Sequence, residues 1–93
     1  MSSRIATFRR KVALGQYELT GHAKDEMEQD GFTIRDVKAA IYDGKILMTQ
    51  RHGSGPRKYL VRGRAQDGRE LDVVCRLTEL RRLRVITVFS VRS

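Results

Sequence analysis

Tryptophan is absent from this 93-residue chain, and proline and cysteine occur once each. The single thiol, Cys75, rules out an internal disulfide framework, so folding must rest on a hydrophobic core. Two histidines and one cysteine without ligand spacing offer no metal site. No glycine pattern matches a nucleotide-phosphate loop, and no cofactor is expected. The apolar runs are far too short to cross a bilayer, and Met1 to Arg10 lacks the apolar stretch of a secretory leader. A cytoplasmic protein without membrane association is the expectation.

Acidic residues are scarce where basic ones are dense. The net charge is +8, and residues 47 to 93 carry eleven cations against four anions. Ten of those eleven are arginine, whose planar fork grips phosphate in a bidentate manner and stacks on bases. A polyanion partner fits that bias, and a merely solubilising surface fits it as well. With 40% hydrophobic and 32% charged residues, the composition is that of a folded domain, and the length allows one core.

The periodicity is helical first and alternating later. Ser2 and Ser3 are candidate caps for a helix with Ile5, Phe8 and Val12 on one face, ended by Gly15. Tyr17-Glu18-Leu19 reads as a short extended link. Thr20 caps a second helix, acidic outside, with Ala23 and Met27 inward and Asp30-Gly31 at its end. Thr33 and Asp36 form a box-like start to a third, whose apolar stripe of Ile34, Val37 and Ile41 runs to Gly44. Four strands follow at about 45–51, 57–64, 70–77 and 84–91, joined by His52 to Pro56, by Asp67-Gly68 and by Thr78 to Arg82. One domain over 1–93 is predicted: an N-terminal helix (1–15), a helical pair (17–44) and an antiparallel sheet (45–91). The class is α+β, with helices on one face of a four-stranded twisted sheet.

Alternation assigns the strand faces. With Tyr59 and Val61 inward, Lys58, Arg62 and Arg64 point out, joined by Asp72 and Arg76 from the next strand. A one-residue slip exchanges that set for Arg57 and Tyr59. Met27 and Met48 read as core. Cys75 alternates with Val73 and Leu77 and reads as a buried, inert thiol.

One order of residues resembles a known family. His22-Ala23, Met27, Gly31, Asp36-Val37, Ala40-Ile41 and Gly44 are followed by Val61 and Gly63, Asp67-Gly68-Arg69, Leu71, Val73-Val74 and Ile86-Thr87-Val88. This series, from about Tyr17 to Phe89, resembles the bacterial family called domain of unknown function 4258. The family's helix-helix-sheet layout is similar to that of the RelE and BrnT ribonuclease toxins, which cut RNA without metal from a concave sheet face. The resemblance implies an RNA-binding, RelE-like protein, either a metal-independent endoribonuclease toxin or a relative that has lost cleavage. Ribosome-associated mRNA is then the implied substrate and an acidic antitoxin the implied protein partner. Asp25, Glu26, Glu28 and Asp30 depart from the pattern, since many such toxins carry basic residues on the second helix.

Metal-free cleavage needs a base for the 2′-hydroxyl, cations for the crowded phosphate and an acid for the leaving oxygen. The candidate catalytic residues are His22, Tyr59 and Arg76, and the candidate RNA-binding residues are Arg57, Lys58, Arg62 and Arg64. Each also has a structural reading: His22 packing at its helix start, Tyr59 in the core with its hydroxyl at the rim, and the cations as a solvated face. His52, in a glycine-rich loop, reads as an idle exposed imidazole. The alternative function is a non-catalytic interaction module whose basic face binds an acidic protein. An unpaired edge strand leaves both monomer and homodimer open.

Overall fold

The computed structural model describes residues 3–51 and 53–91. Ser2 and His52, singled out above as a cap and a loop imidazole, lie outside the described residues. Three ten-residue helices form where the caps predict: α1 (Arg4–Ala13), α2 (Gly21–Asp30) and α3 (Ile34–Asp43). Ser3, Thr20 and Thr33 each accept a backbone N–H from their helix's first turn, and Thr33 and Asp36 close a reciprocal capping box. Gly31 ends α2 in the left-handed conformation, with φ of 72°. Helices this short are marginal alone, so packing holds them.

The sheet has five strands in the order β1-β5-β4-β3-β2, from β1 (Tyr17–Leu19), β2 (Lys45–Gln50), β3 (Lys58–Arg64), β4 (Glu70–Leu77) and β5 (Leu83–Ser90). The expected four-stranded antiparallel meander is therefore corrected: β2 to β5 are antiparallel neighbours, but β1 adds a fifth strand, parallel to β5. Three residues are too few to show alternation, and the partner of β1 lies at the far end of the chain, so the segment reads locally as a link.

Helices cover one face. Phe8 and Val12 of α1, Ala23 and Met27 of α2, and Val37 and Ile41 of α3 are buried against Val61, Val73, Leu83 and Val88 of the sheet. Each large side chain so removed from water contributes roughly 1.5–3 kcal/mol. Tyr59 belongs to this layer, 6% exposed, with its ring edge-on to Phe8 at 5.2 Å. Met48 does not: on edge strand β2, beyond a register shift between Ile46 and Met48, it is 49% exposed, correcting its reading as core. No helix among the described residues is long and apolar enough to cross a membrane.

The two sheet edges differ. β1 covers only Leu83–Val85 of β5, and α2 lies along the remainder. The N–H of Val88 donates to Glu26 Oε1 at 3.1 Å and that of Ser90 to Asp30 Oδ2 at 3.2 Å. Thr20 adds two bonds, its N–H to Val85 O and its hydroxyl to Ile86 O. The carboxylates of α2 therefore act as the missing neighbour strand. At the opposite edge β2 pairs, among the described residues, only with β3, and Leu47 and Met48 are exposed there.

Candidate nucleic-acid interface

The face of the sheet away from the helices is built by the alternate residues of β3, β4 and β5. Buried Val61, Leu71 and Val73 turn Leu60, Arg62, Asp72, Val74 and Arg76 to this open side. Register decides which of them meet. Arg62 stands opposite Asp72, and the two form a bidentate pair, Nε to Oδ1 at 2.8 Å and Nη2 to Oδ2 at 2.9 Å. The hydrogen bonds that Arg62 donates to Asp72 raise its guanidinium pKa, and its charge is neutralised within the protein. Arg64, exposed at the end of β3, stands opposite Glu70.

At the other end of the sheet the charges are alike. Arg76 lies directly opposite Arg84, and one residue past the last β3–β4 pair, Tyr59 with Cys75, the register brings Lys58 beside Arg76. Adjacent strands lie about 5 Å apart, so Lys58, Arg76 and Arg84 form a transverse row of cations. Like charges directly opposite in a sheet are destabilising. One carboxylate moderates the row: Glu18 of β1 meets Arg84 Nε at 2.9 Å and Arg82 Nε at 3.6 Å. Among the described residues neither Lys58 nor Arg76 has a carboxylate partner within ion-pair distance. A shallow depression of about 300 Å³ lies over the row, lined by Glu18, Arg76, Arg84 and the β4–β5 turn. Leu60, Val74 and Met48 form an apolar strip between this row and the Arg62–Asp72 pair, and Phe89 adds a 37% exposed ring opposite Asp72.

The candidate catalytic residues occupy three different places. Arg76 is on the open face, Tyr59 is behind the sheet with the Arg4 guanidinium 5.5 Å from its ring centroid, and His22 is on α2. The His22 imidazole is largely exposed and 3.2 Å from Glu26. Arg57 lies next to Lys58 on the approach to β3, beside Arg4, Tyr59 and Leu77. Arg84 is absent from the candidates read from sequence, although the turn marks it. If Thr78–Arg82 closes a hairpin, counting outward pairs 77 with 83 and 76 with 84. Counting from Asp67-Gly68 alone would set Arg62 against Val73; the loop in fact spans 66–68, closed by the N–H of Ala65 on Arg69 O, and that places Arg62 against Asp72.

Other arginines serve the fold. Arg9 donates to the carbonyls of Ile41 and Gly44, closing the C-terminus of α3. Arg69 donates to the carbonyls of Asp30 and Gly31 at the end of α2, pairs with Asp67 and lies 4.4 Å from the Phe32 ring centroid. Cys75 is fully buried, and desolvation pushes its thiol pKa up to about 12, so no reactive thiolate is present near neutrality.

No curated protein and no solved structure matches the chain. Residues 19–90 match a family model described as Domain of unknown function (DUF4258).

Proposed function

The chain belongs to the family of domain of unknown function 4258, and from that premise we propose that it is an RNA-binding protein whose open sheet face grips the phosphate backbone. One observation carries the reading: Lys58, Arg76 and Arg84 stand abreast on three neighbouring strands, and among the described residues Glu18 is the one carboxylate within ion-pair distance of the row, with Glu79 beside it in the depression. Such an arrangement costs folding energy and is useful when a polyanion lies across it. The adjoining Leu60–Val74 strip and the Phe89 ring suit the flat faces of unpaired bases. Binding without cleavage is the form we propose, because His22, Tyr59 and Arg76 are on separate faces and do not converge on one phosphate.

The test is fluorescence anisotropy with a single-stranded oligoribonucleotide across a KCl series in EDTA. Affinity should fall steeply with salt, and Lys58→Ala with Arg76→Ala should reduce the logarithmic salt slope by roughly 1.4, about 0.7 for each phosphate no longer neutralised. Arg62→Ala, which removes a guanidinium already neutralised by Asp72, should change the slope less. Binding that is absent, or indifferent to salt, would sink the proposal.

A second reading has its own support. The edge of β2, with exposed Leu47 and Met48, suits a protein partner that adds a strand there. Its sign is protection of β2 amides from hydrogen exchange on adding that partner, with no change at Arg76 or Arg84.

A further inference from the structure

On the helix side of the sheet, at the end that carries the cation row, α1 and the β4–β5 turn enclose a cleft of about 360 Å³. Arg4, Thr7 and Lys11 of α1 form one wall, at helical spacing on a single face, and Thr78 and Arg81 of the turn form the other. Leu77 is the floor, and Glu79 is the acidic residue of the lining.

Arg4 and Lys11 have side-chain contacts within the protein, and Arg81 has a constrained backbone. The Arg4 guanidinium rests 5.5 Å from the Tyr59 ring centroid, and Lys11 Nζ donates to Gln16 Oε1 at 3.2 Å. Arg81 is held by its backbone, with φ of 61°, in the left-handed region that residues bearing a Cβ occupy at a cost. The turn around it is braced: the N–H of Arg81 donates to Thr78 O, and that of Arg82 donates to Thr78 Oγ1. Thr78 accepts there, which leaves its own hydroxyl proton available to a ligand. Thr7 donates to Ser3 O at a long 3.4 Å. A strained arginine in a braced turn, where glycine would sit without strain, points to a use for its side chain.

We propose that this cleft binds a phosphomonoester dianion, the terminal phosphate of a nucleotide or of an RNA strand. Three cations against one carboxylate leave about two positive charges, which matches a phosphomonoester near neutral pH and exceeds the single charge of an internal diester. The cleft shares Thr78 and Glu79 with the depression on the open face, but its three cations are different ones, so it stands or falls whether or not that face binds RNA.

Three probes test it on the full chain: inorganic phosphate, AMP, and a matched pair of oligoribonucleotides ending in 5′-phosphate or 5′-hydroxyl. Phosphate and AMP should shift the backbone amide resonances of Thr78, Arg81 and Arg82 saturably, while equal ionic strength of KCl should not. If RNA ends are the source, the 5′-phosphorylated strand should bind roughly tenfold tighter than its 5′-hydroxyl partner, as expected for charge-assisted hydrogen bonds. If free nucleotides are the source, AMP should saturate the cleft and the two strands should bind alike. Arg81→Gly should abolish the phosphate response while raising the melting temperature, so its loss of binding is not unfolding. Lys11→Met should weaken the response, and Lys58→Ala should leave it intact. Absence of saturable shifts with both phosphate and AMP, or a response unchanged in Arg81→Gly and Lys11→Met, overturns the proposal.

Discussion

Arg9, Arg62 and Arg69 are held by acceptors within the protein, so the arginine excess divides between cations that hold the fold and cations left for a partner. The clearest counterpart among the acids is Asp36. Its Oδ2 accepts the N–H of Thr33 at 2.9 Å and its Oδ1 accepts the N–H of Gln66 at 3.0 Å, tying the start of α3 to the β3–β4 turn. Burial alone would raise its pKa, but the hydrogen bonds from Thr33 and Gln66 outweigh that and hold the carboxyl below its ordinary value of 3.8. A carboxyl depressed in the folded state stabilises fully above its unfolded pKa, and that stabilisation is lost as pH falls through the folded value. Asp36→Asn should therefore melt at lower temperature than the parent near neutrality, and the gap should narrow below about pH 4, in the range of the ordinary carboxyl value. Melting curves from pH 7 to pH 2 check this; a gap constant with pH would mean that the charge of Asp36 contributes nothing.

At the scale of elements, the packing of α3 on β3 is set by two glycines. A Cβ on Gly63 would stand 2.0 Å from the carbonyl oxygen of Ala40, and one on Gly44 would stand 2.3 Å from the same atom. The helix backbone thus rests on the strand backbone, with no room for a methyl group. Gly63→Ala should destabilise by about 3 kcal/mol, at the upper end of overpacking costs because the opposing atoms are backbone. An unshifted urea midpoint would show that α3 can lift without cost. Sequence periodicity makes these elements legible: the caps Ser3, Thr20 and Thr33 mark the helix starts, and the Tyr59/Val61 alternation correctly sets which face of β3 is inward. It does not reveal β1, whose three residues carry no period, nor the exposure of Met48, which depends on β2 being an edge with a shifted register. The cation row is half legible, because alternation gives the face but only turn counting gives the neighbours. The cleft is not legible at all, since its walls are 60 or more residues apart in sequence and the left-handed backbone of Arg81 leaves no mark in the periodicity.

At the scale of the whole molecule, the acidity of α2, which departs from the toxin pattern, has a structural explanation in Glu26 and Asp30, which accept the otherwise free N–H groups of β5. Unpaired edges invite other chains, and natural sheets cover them. Glu26→Ala with Asp30→Ala should speed hydrogen exchange at Val88 and Ser90 and increase self-association seen by light scattering, whereas Glu26→Gln with Asp30→Asn, which keeps the acceptors, should behave like the parent. Equal exchange in both double variants would show that the carboxylates do not seal the edge. The pairing of β1 with β5 has a consequence of another kind. Residues 17–19 find their partners at 83–85, so one side of the sheet is assembled from stretches far apart along the chain. Until β5 has left the ribosome, β1, α2 and β4 all lack a neighbour, and closing so long a loop delays the first productive pairing. A chain interrupted before Leu83 could still pack α1 and α3 on β3 and β4, but β1 and α2 would be left without the strand they line, so their docking waits for β5.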